Sequence, residues 1–128
     1  MATLESIQEL KVILNKQLPA DVSILVNNVG CSKTGVIDKH SIWDTMRQIN
    51  VNINSQTYMT YLMLPMLLER NSRSAIINLS SRAAEAPDGF IPIYAATKTY
   101  NLALSLSLED SYRDKIDVMA VTPHGVKS

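Results

Sequence analysis

The chain has 128 residues and a mass of 14.2 kDa, room for one small domain with a single core. Lys and Arg number 12, as do Asp and Glu, and the isoelectric point is 6.7, so no basic footprint points to nucleic acid and no charged tail to a membrane surface. Cys31 is the single cysteine, which excludes an internal disulfide and suits a reducing compartment. No apolar run approaches the roughly eighteen residues of a membrane helix, and the opening MATLESIQELK lacks the apolar block of a signal peptide. The chain reads as soluble and cytoplasmic.

Leu4, Ile7, Leu10 and Leu14 recur at helical spacing, so residues 3–17 are predicted as a helix with Thr3 as N-cap and Pro19 as its stop. Residues 22–26 are short, apolar and β-branched, and are predicted as a buried parallel strand that ends in the turn Asn27-Asn28-Val29-Gly30. In open α/β sheets, ligands bind beyond the carboxyl ends of the strands, which makes this turn a candidate cofactor contact. Residues 31–40 read as a loop. His40 has no Cys, His or carboxylate cluster at ligand spacing, so it is expected as a surface histidine and no metal site is predicted.

Ser41-Ile42-Trp43-Asp44 resembles a capping box, and a long helix is predicted from there to about residue 70, with a break near residues 50–54. Trp43 and Met46 are expected as core or interface contacts. Met59, Leu62, Met63, Met66 and Leu67 form an apolar stripe for the core or a subunit interface, and Pro65 is expected to kink the helix or mark its final turn. Residues 75–79 are predicted as a second buried strand that delivers Ser80 and Ser81 to the same sheet edge as the Asn27 turn. Pro87-Asp88-Gly89 signals a turn, with glycine allowing a positive φ, and Pro92 suits a helix start. The helix predicted over 93–113 carries Tyr94 and Lys98, with Tyr100 and Tyr112 as packing residues. A third strand is predicted over 116–121, followed by Thr122-Pro123-His124-Gly125-Val126-Lys127-Ser128.

The centre of this pattern is NLSSRAAEAPDGFIPIYAATKTYN, residues 78–101. Tyr94 and Lys98 are one helical turn apart and share a face. A phenol, with an ordinary pKa of about 10, is a poor acid or base at neutral pH. A neighbouring ammonium favours the phenolate and brings it toward the working range. A serine hydroxyl from a strand end adds a hydrogen bond for the oxygen of a carbonyl or alcohol.

Ser81, Tyr94 and Lys98 resemble the Ser…Tyr-x-x-x-Lys set of the short-chain dehydrogenase/reductase family. LVNNVG at residues 25–30 is similar to the version in its 17β-hydroxysteroid and very-long-chain 3-ketoacyl-CoA reductase subgroup. The resemblance implies an α/β, Rossmann-like doubly wound fold, present in part, with three parallel strands and long flanking helices in one domain spanning 1–128. It implies catalytic roles for Tyr94, Lys98, Ser81 and Asn52. Tyr94 would exchange the proton and Ser81 would orient the oxygen. Lys98 would lower the Tyr94 pKa, and Asn52 would help hold a water in a proton relay. Cofactor contacts are implied for Asn27, Gly30, Tyr94, Lys98, Pro123, Val126 and Ser128. The Asn27 side chain would brace the sheet, and Ser128 stands in for the usual threonine.

The cofactor implied is NADP or NAD, and the substrate a lipid-like carbonyl or alcohol of steroid or 3-ketoacyl type. The resemblance also implies a homo-oligomer, formed through the helices over 41–70 and 93–113. Members of the subgroup often sit at the endoplasmic reticulum through N-terminal segments. Gly30, Gly35, Gly89 and Gly125 do not have the spacing of a Gly-rich phosphate turn, so the first half of the family pattern is absent. The isolated chain is therefore expected to be inactive and poorly soluble. A truncated, non-catalytic relative that dimerises with a complete reductase is the competing expectation.

Overall fold

The computed structural model describes residues 4–19 and 21–124. Helix α1 (Leu4–Gln17) keeps Ile7, Leu10 and Leu14 half-buried, and Leu18 N closes its last turn on Leu14 O at 2.9 Å. Thr3, Gly125, Val126, Lys127 and Ser128 lie outside the described residues.

Strands β1 (Ile24–Asn27), β2 (Ser74–Leu79) and β3 (Ile116–Val121) form a parallel sheet in the order β1-β2-β3. This is the expected doubly wound arrangement in part. The register aligns Leu25 with Ile76 and Ile76 with Val118, so these three form a row on one face. Helix α3 (Ser55–Glu69) and helix α4 (Pro92–Tyr112) cover that face, and Leu25, Met63, Leu67, Ile76 and Ile116 are its buried core. Ser74 Oγ donates to Leu67 O at 2.8 Å and thereby satisfies a carbonyl of the last turn of α3.

The other face is more open, which corrects the expectation of a fully buried first strand. Ile24 and Val26 are 55% and 53% exposed, because β1 is an edge strand and the described helices pack behind Leu25. Val26, Ile77 and Met119 form an apolar row across this second face.

Ser41 caps helix α2 (Ile42–Ile49) by accepting from Asp44 N at 3.1 Å. The Ser41 hydroxyl also donates to Asp44 Oδ2 at 2.9 Å, so the pair closes on itself through side chains. The expected break is a π-helical turn, Asn50–Asn54, that joins α2 to α3 without a bend into loop. Pro65 lies within α3, which ends at Glu69. Trp43 is 75% exposed and Met46 is exposed too, so neither belongs to the described core.

Two further expectations change. Gly89 does not take a positive φ; the turn is held instead by Asp88 Oδ1, which accepts from Phe90 N at 2.9 Å. Among the described residues, Gly35 is the glycine with positive φ, at 129°, and its N donates to Phe90 O at 2.7 Å. His40 is half-buried beside Gly35 where the loop folds back, with both ring nitrogens shielded from solvent and without a hydrogen-bond partner among the described residues. Among the described residues, no helix is long and apolar enough to cross a membrane.

Ile76 is fully buried at the centre of the sheet. Ile76→Ala is expected to lower the unfolding free energy by about 2–5 kcal/mol. Ile77→Ala, on the open face, is expected to cost less. Urea unfolding of the polypeptide that carries this chain reads both.

Candidate active site

The loops after β1, β2 and β3 and the start of α4 meet at one edge of the sheet. Asn27, the last residue of β1, donates through Nδ2 to Asn78 Oδ1 at 2.8 Å and to Thr60 Oγ1 at 3.0 Å. Asn78 Nδ2 donates in turn to Ser105 Oγ at 2.8 Å. This network ties β1, β2, α3 and α4 together below the cleft, where Asn27 acts as a brace.

Strand alternation separates the two serines. Ser80 is buried and its Oγ donates to Lys98 O at 2.7 Å, so its hydroxyl is spent on the helix. Ser81 is half-buried, extended at φ −165°, and accepts from Ala83 N at 3.2 Å at the start of a 3₁₀ turn. Its O–H is left to donate into the cleft, because accepting uses only a lone pair.

Pro92 occupies the first turn of α4, where its missing N–H costs nothing. Tyr94 and Lys98 follow one turn apart, with Lys98 Nζ 5.6 Å from the Tyr94 ring centroid. The ammonium donates to Leu79 O at 2.6 Å. Burial pushes the Lys98 pKa below its ordinary value of 10.5, an effect opposed by the nearby Cys31. Gly30 forms the floor beside it: a Cβ there would lie 3.4 Å from Lys98 Nζ and 3.6 Å from Asn52 Oδ1.

Asn52 is completely buried in the π-helical turn. Its Oδ1 accepts from Cys31 N and its Nδ2 donates to Cys31 O, each at 2.8 Å. The second Nδ2 hydrogen goes to Thr97 Oγ1 at 2.9 Å. Both amide hydrogens are therefore spent on protein partners. The side-chain NH₂ of Asn52 therefore has no hydrogen left for the water that the resemblance implies.

Two connected openings result. One, of about 270 Å³, is lined by residues that include Gly30, Cys31, Ser80 and Lys98. The other, of about 530 Å³, is lined by residues that include Ser81, Arg82, Ile91 and His124. Tyr94, Ser32 and Pro123 line both, so Tyr94 stands at their boundary. Of the residues expected at the site, Ser81, Gly30, Tyr94, Lys98 and Pro123 line these openings. Asn27 and Asn52 lie behind them as supports, and Val126 and Ser128 are not among the described residues. Sequence reasoning passed over Cys31, Ser32, Arg82 and Thr97. A hydroxyl beside Lys98 was the one signal for Thr97.

A cleft beyond the carboxyl ends of parallel strands, with a helix-borne Tyr–Lys pair on its wall, is the architecture of a nucleotide-dependent α/β protein. The comparisons narrow this. The short chain dehydrogenase family matches residues 1–128. The very-long-chain 3-oxoacyl-CoA reductase of Macaca fascicularis is 40% identical over 111 residues, which is 83% of this chain and 35% of that protein. The crystal structure of serine dehydrogenase from Escherichia coli superposes with a TM-score of 0.82 at 31% identity, covering 94% of this chain and 56% of that one. A short-chain dehydrogenase from Sphingobium yanoikuyae in complex with NADPH gives a TM-score of 0.84 at 26% identity, over 98% of this chain and 48% of that one. The chain belongs to the short chain dehydrogenase family. It spans about a third of the length of the curated relatives it matches.

The Lys98 shift makes a pH prediction. Its folded pKa is depressed, so between that value and 10.5 the unfolded chain binds more protons than the folded one. Stability from this residue should rise with pH across that window and level off above it. Urea midpoints measured across the window should rise less steeply for Lys98→Met than for wild type.

Proposed function

We propose that this chain is the central part of one domain of an NADP- or NAD-dependent oxidoreductase that interconverts a carbonyl and a secondary alcohol. The observation that carries the reading is the position of Tyr94 at the boundary of the two openings, with Ser81 on one side and Lys98 on the other. The smaller opening suits the nicotinamide ribose: its floor at Gly30 is backbone, and Lys98 uses one of its three donors on Leu79 O. A nicotinamide cofactor, when bound, supplies and accepts the hydride.

The residues of this chain handle the proton and the oxygen. Ser81 donates a hydrogen bond to the substrate oxygen, which withdraws charge from the carbonyl. Tyr94 gives its phenolic proton to that oxygen in reduction and takes it back in oxidation. Lys98 stabilises the phenolate left behind by its charge. Asn52 and Asn27 hold the floor and the strand ends in place.

Similarity to very-long-chain 3-oxoacyl-CoA reductases favours a 3-oxoacyl thioester, with a ketosteroid as the next candidate. NADP is favoured by the solved relative in complex with NADPH. Cytoplasmic location, or the endoplasmic reticulum within a longer polypeptide, belongs to the same proposal. So does a homo-oligomer through helices 41–70 and 93–113.

A second reading, a non-catalytic relative that pairs with a complete reductase through these helices, draws on the exposed Tyr61 of α3 and Leu106 of α4. The mass of the endogenous protein, read by immunoblot against the Tyr94 region, defines the polypeptide to assay. That polypeptide should oxidise NADPH with a long-chain 3-oxoacyl-CoA. Tyr94→Phe should lower kcat by about 10²–10⁴-fold, the usual range for a general acid. Ser81→Ala should lower it too, whereas Ser80→Ala should act mainly on stability, by about 1 kcal/mol. Absence of turnover, together with co-elution with a complete reductase, would favour the second reading.

A further inference from the structure

Thr97 stands between the two residues that the proposed mechanism uses on α4, and the mechanism assigns it nothing. It is 1% exposed. Its Oγ1 donates to Tyr94 O at 2.7 Å and accepts from Asn52 Nδ2 at 2.9 Å. A hydroxyl that bonds back to a carbonyl one turn earlier is an ordinary helix contact. The bond from Asn52 is not local, since it joins residues 45 apart in sequence.

The polarity of this chain of bonds is determined by its ends. Asn52 Oδ1 must face Cys31 N, so the Asn52 NH₂ faces Cys31 O and Thr97. Thr97 must accept that hydrogen and has one proton to give, which goes to Tyr94 O. One hydroxyl thus joins three separate pieces of the site: the π-helical turn at Asn52, the loop at Cys31 next to Gly30, and the first turn of α4. Gly30 and Asn52 in turn bound the space around Lys98 Nζ.

We propose that Thr97 is a positioning residue, whose hydroxyl sets the height of the Tyr94–Lys98 turn against the floor at Gly30 and Cys31. The proposal rests on Tyr94 as the proton-transfer residue. Loss of the hydroxyl leaves a buried Asn52 hydrogen unpaired, and relief of that cost requires Asn52, and with it the Cys31 loop, to move. A displacement of about 1 Å in such a site costs on the order of 10²-fold in rate.

Thr97→Val keeps the shape and removes the hydroxyl; Thr97→Ser keeps the hydroxyl. In the complete polypeptide, Thr97→Val should lower kcat by about 10–100-fold with KM for the 3-oxoacyl-CoA changed by less than about threefold. Thr97→Ser should return kcat to within about threefold of wild type. The split between kcat and KM, with kcat taken per folded protein, separates positioning from simple loss of folded protein, and rescue by Thr97→Ser assigns the effect to the hydroxyl.

Hydrogen exchange gives a second reading that needs no turnover. The Cys31 amide, bonded to Asn52 Oδ1, should exchange faster in Thr97→Val and at the wild-type rate in Thr97→Ser. Unchanged exchange, or an unchanged kcat at equal folded fraction, overturns the proposal. A wild-type protein without turnover overturns the enzymatic reading on which the proposal rests, and the exchange experiment then decides whether the Thr97 linkage exists. Turnover abolished in Tyr94→Phe but untouched in Thr97→Val overturns the positioning role alone.

Discussion

A lysine ammonium taken out of water needs partners, and the site is built around meeting that need for Lys98. Desolvation of an unpaired cation costs several kcal/mol in a real protein interior. Here the charge is placed on Leu79 O at the end of β2, where the strand leaves the sheet. The next residue returns the contact: Ser80 Oγ donates to the main-chain carbonyl of Lys98 itself. Strand and helix are thus tied by two side chains from opposite directions. The same tie turns Ser81, the following residue, toward the cleft that Tyr94 lines. Serine, tyrosine and lysine are consequently brought together by one strand–helix junction and not by three independent placements.

The helix pair behind this junction carries a polar seam that a purely apolar core would not need. Gln48, Asn52, Gln56 and Thr60 are buried at intervals of four along α2, the π-helical turn and α3. Thr97, Asn101 and Ser105 are buried on the facing side of α4. The rungs at each end are closed, Asn52 on Thr97 directly and Thr60 on Ser105 through Asn27 and Asn78. The middle rung leaves Gln56 Nε2 and Asn101 Oδ1, a donor and an acceptor, without a partner among the described residues. Buried amides specify the relative height of two helices more sharply than apolar side chains, because a shift of one turn would leave several polar atoms unpaired. For a site that depends on where Tyr94 sits above Gly30, this specificity is the useful property.

Much of this was legible in the sequence wherever the cause is local. Tyr94 and Lys98 share a face because helical spacing demands it, and Pro92 marks the helix start by its own chemistry. Residues 116–121 were read as a strand from their β-branched pattern, and β3 spans Ile116–Val121. What escaped has non-local causes. The openness of β1 depends on which face the helices choose. The role of Thr97 depends on Asn52, and that of Cys31 on the same amide. Gly89 looked like the positive-φ residue of a turn, yet Asp88 supplies a side-chain acceptor there, and the unusual φ falls at Gly35, where the loop is drawn onto Phe90 O. His40 looked exposed for want of ligands nearby, but that absence says nothing about what folds over it.

The bonds that orient the proposed catalytic groups all lie between Asn27 and Pro123. Lys98 is held by Leu79, Asn52 by Cys31 and Thr97, Ser81 by Ala83, and the loop after β2 by Arg82 N on Pro123 O at 3.2 Å. None of them needs a contribution from the two-thirds of its relatives' length that this chain does not span. Binding of the phosphate end of a dinucleotide is a different matter. It requires a helix N-terminus behind a glycine-rich turn, and no described residues form one. The apolar row of Val26, Ile77 and Met119 on the second face likewise calls for cover that the described residues do not give. In the proposed reading the work of the site is divided: the groups for proton transfer and oxygen recognition are held within residues 27–123, while cofactor affinity would depend on cover for the open face and the strand edge at β1.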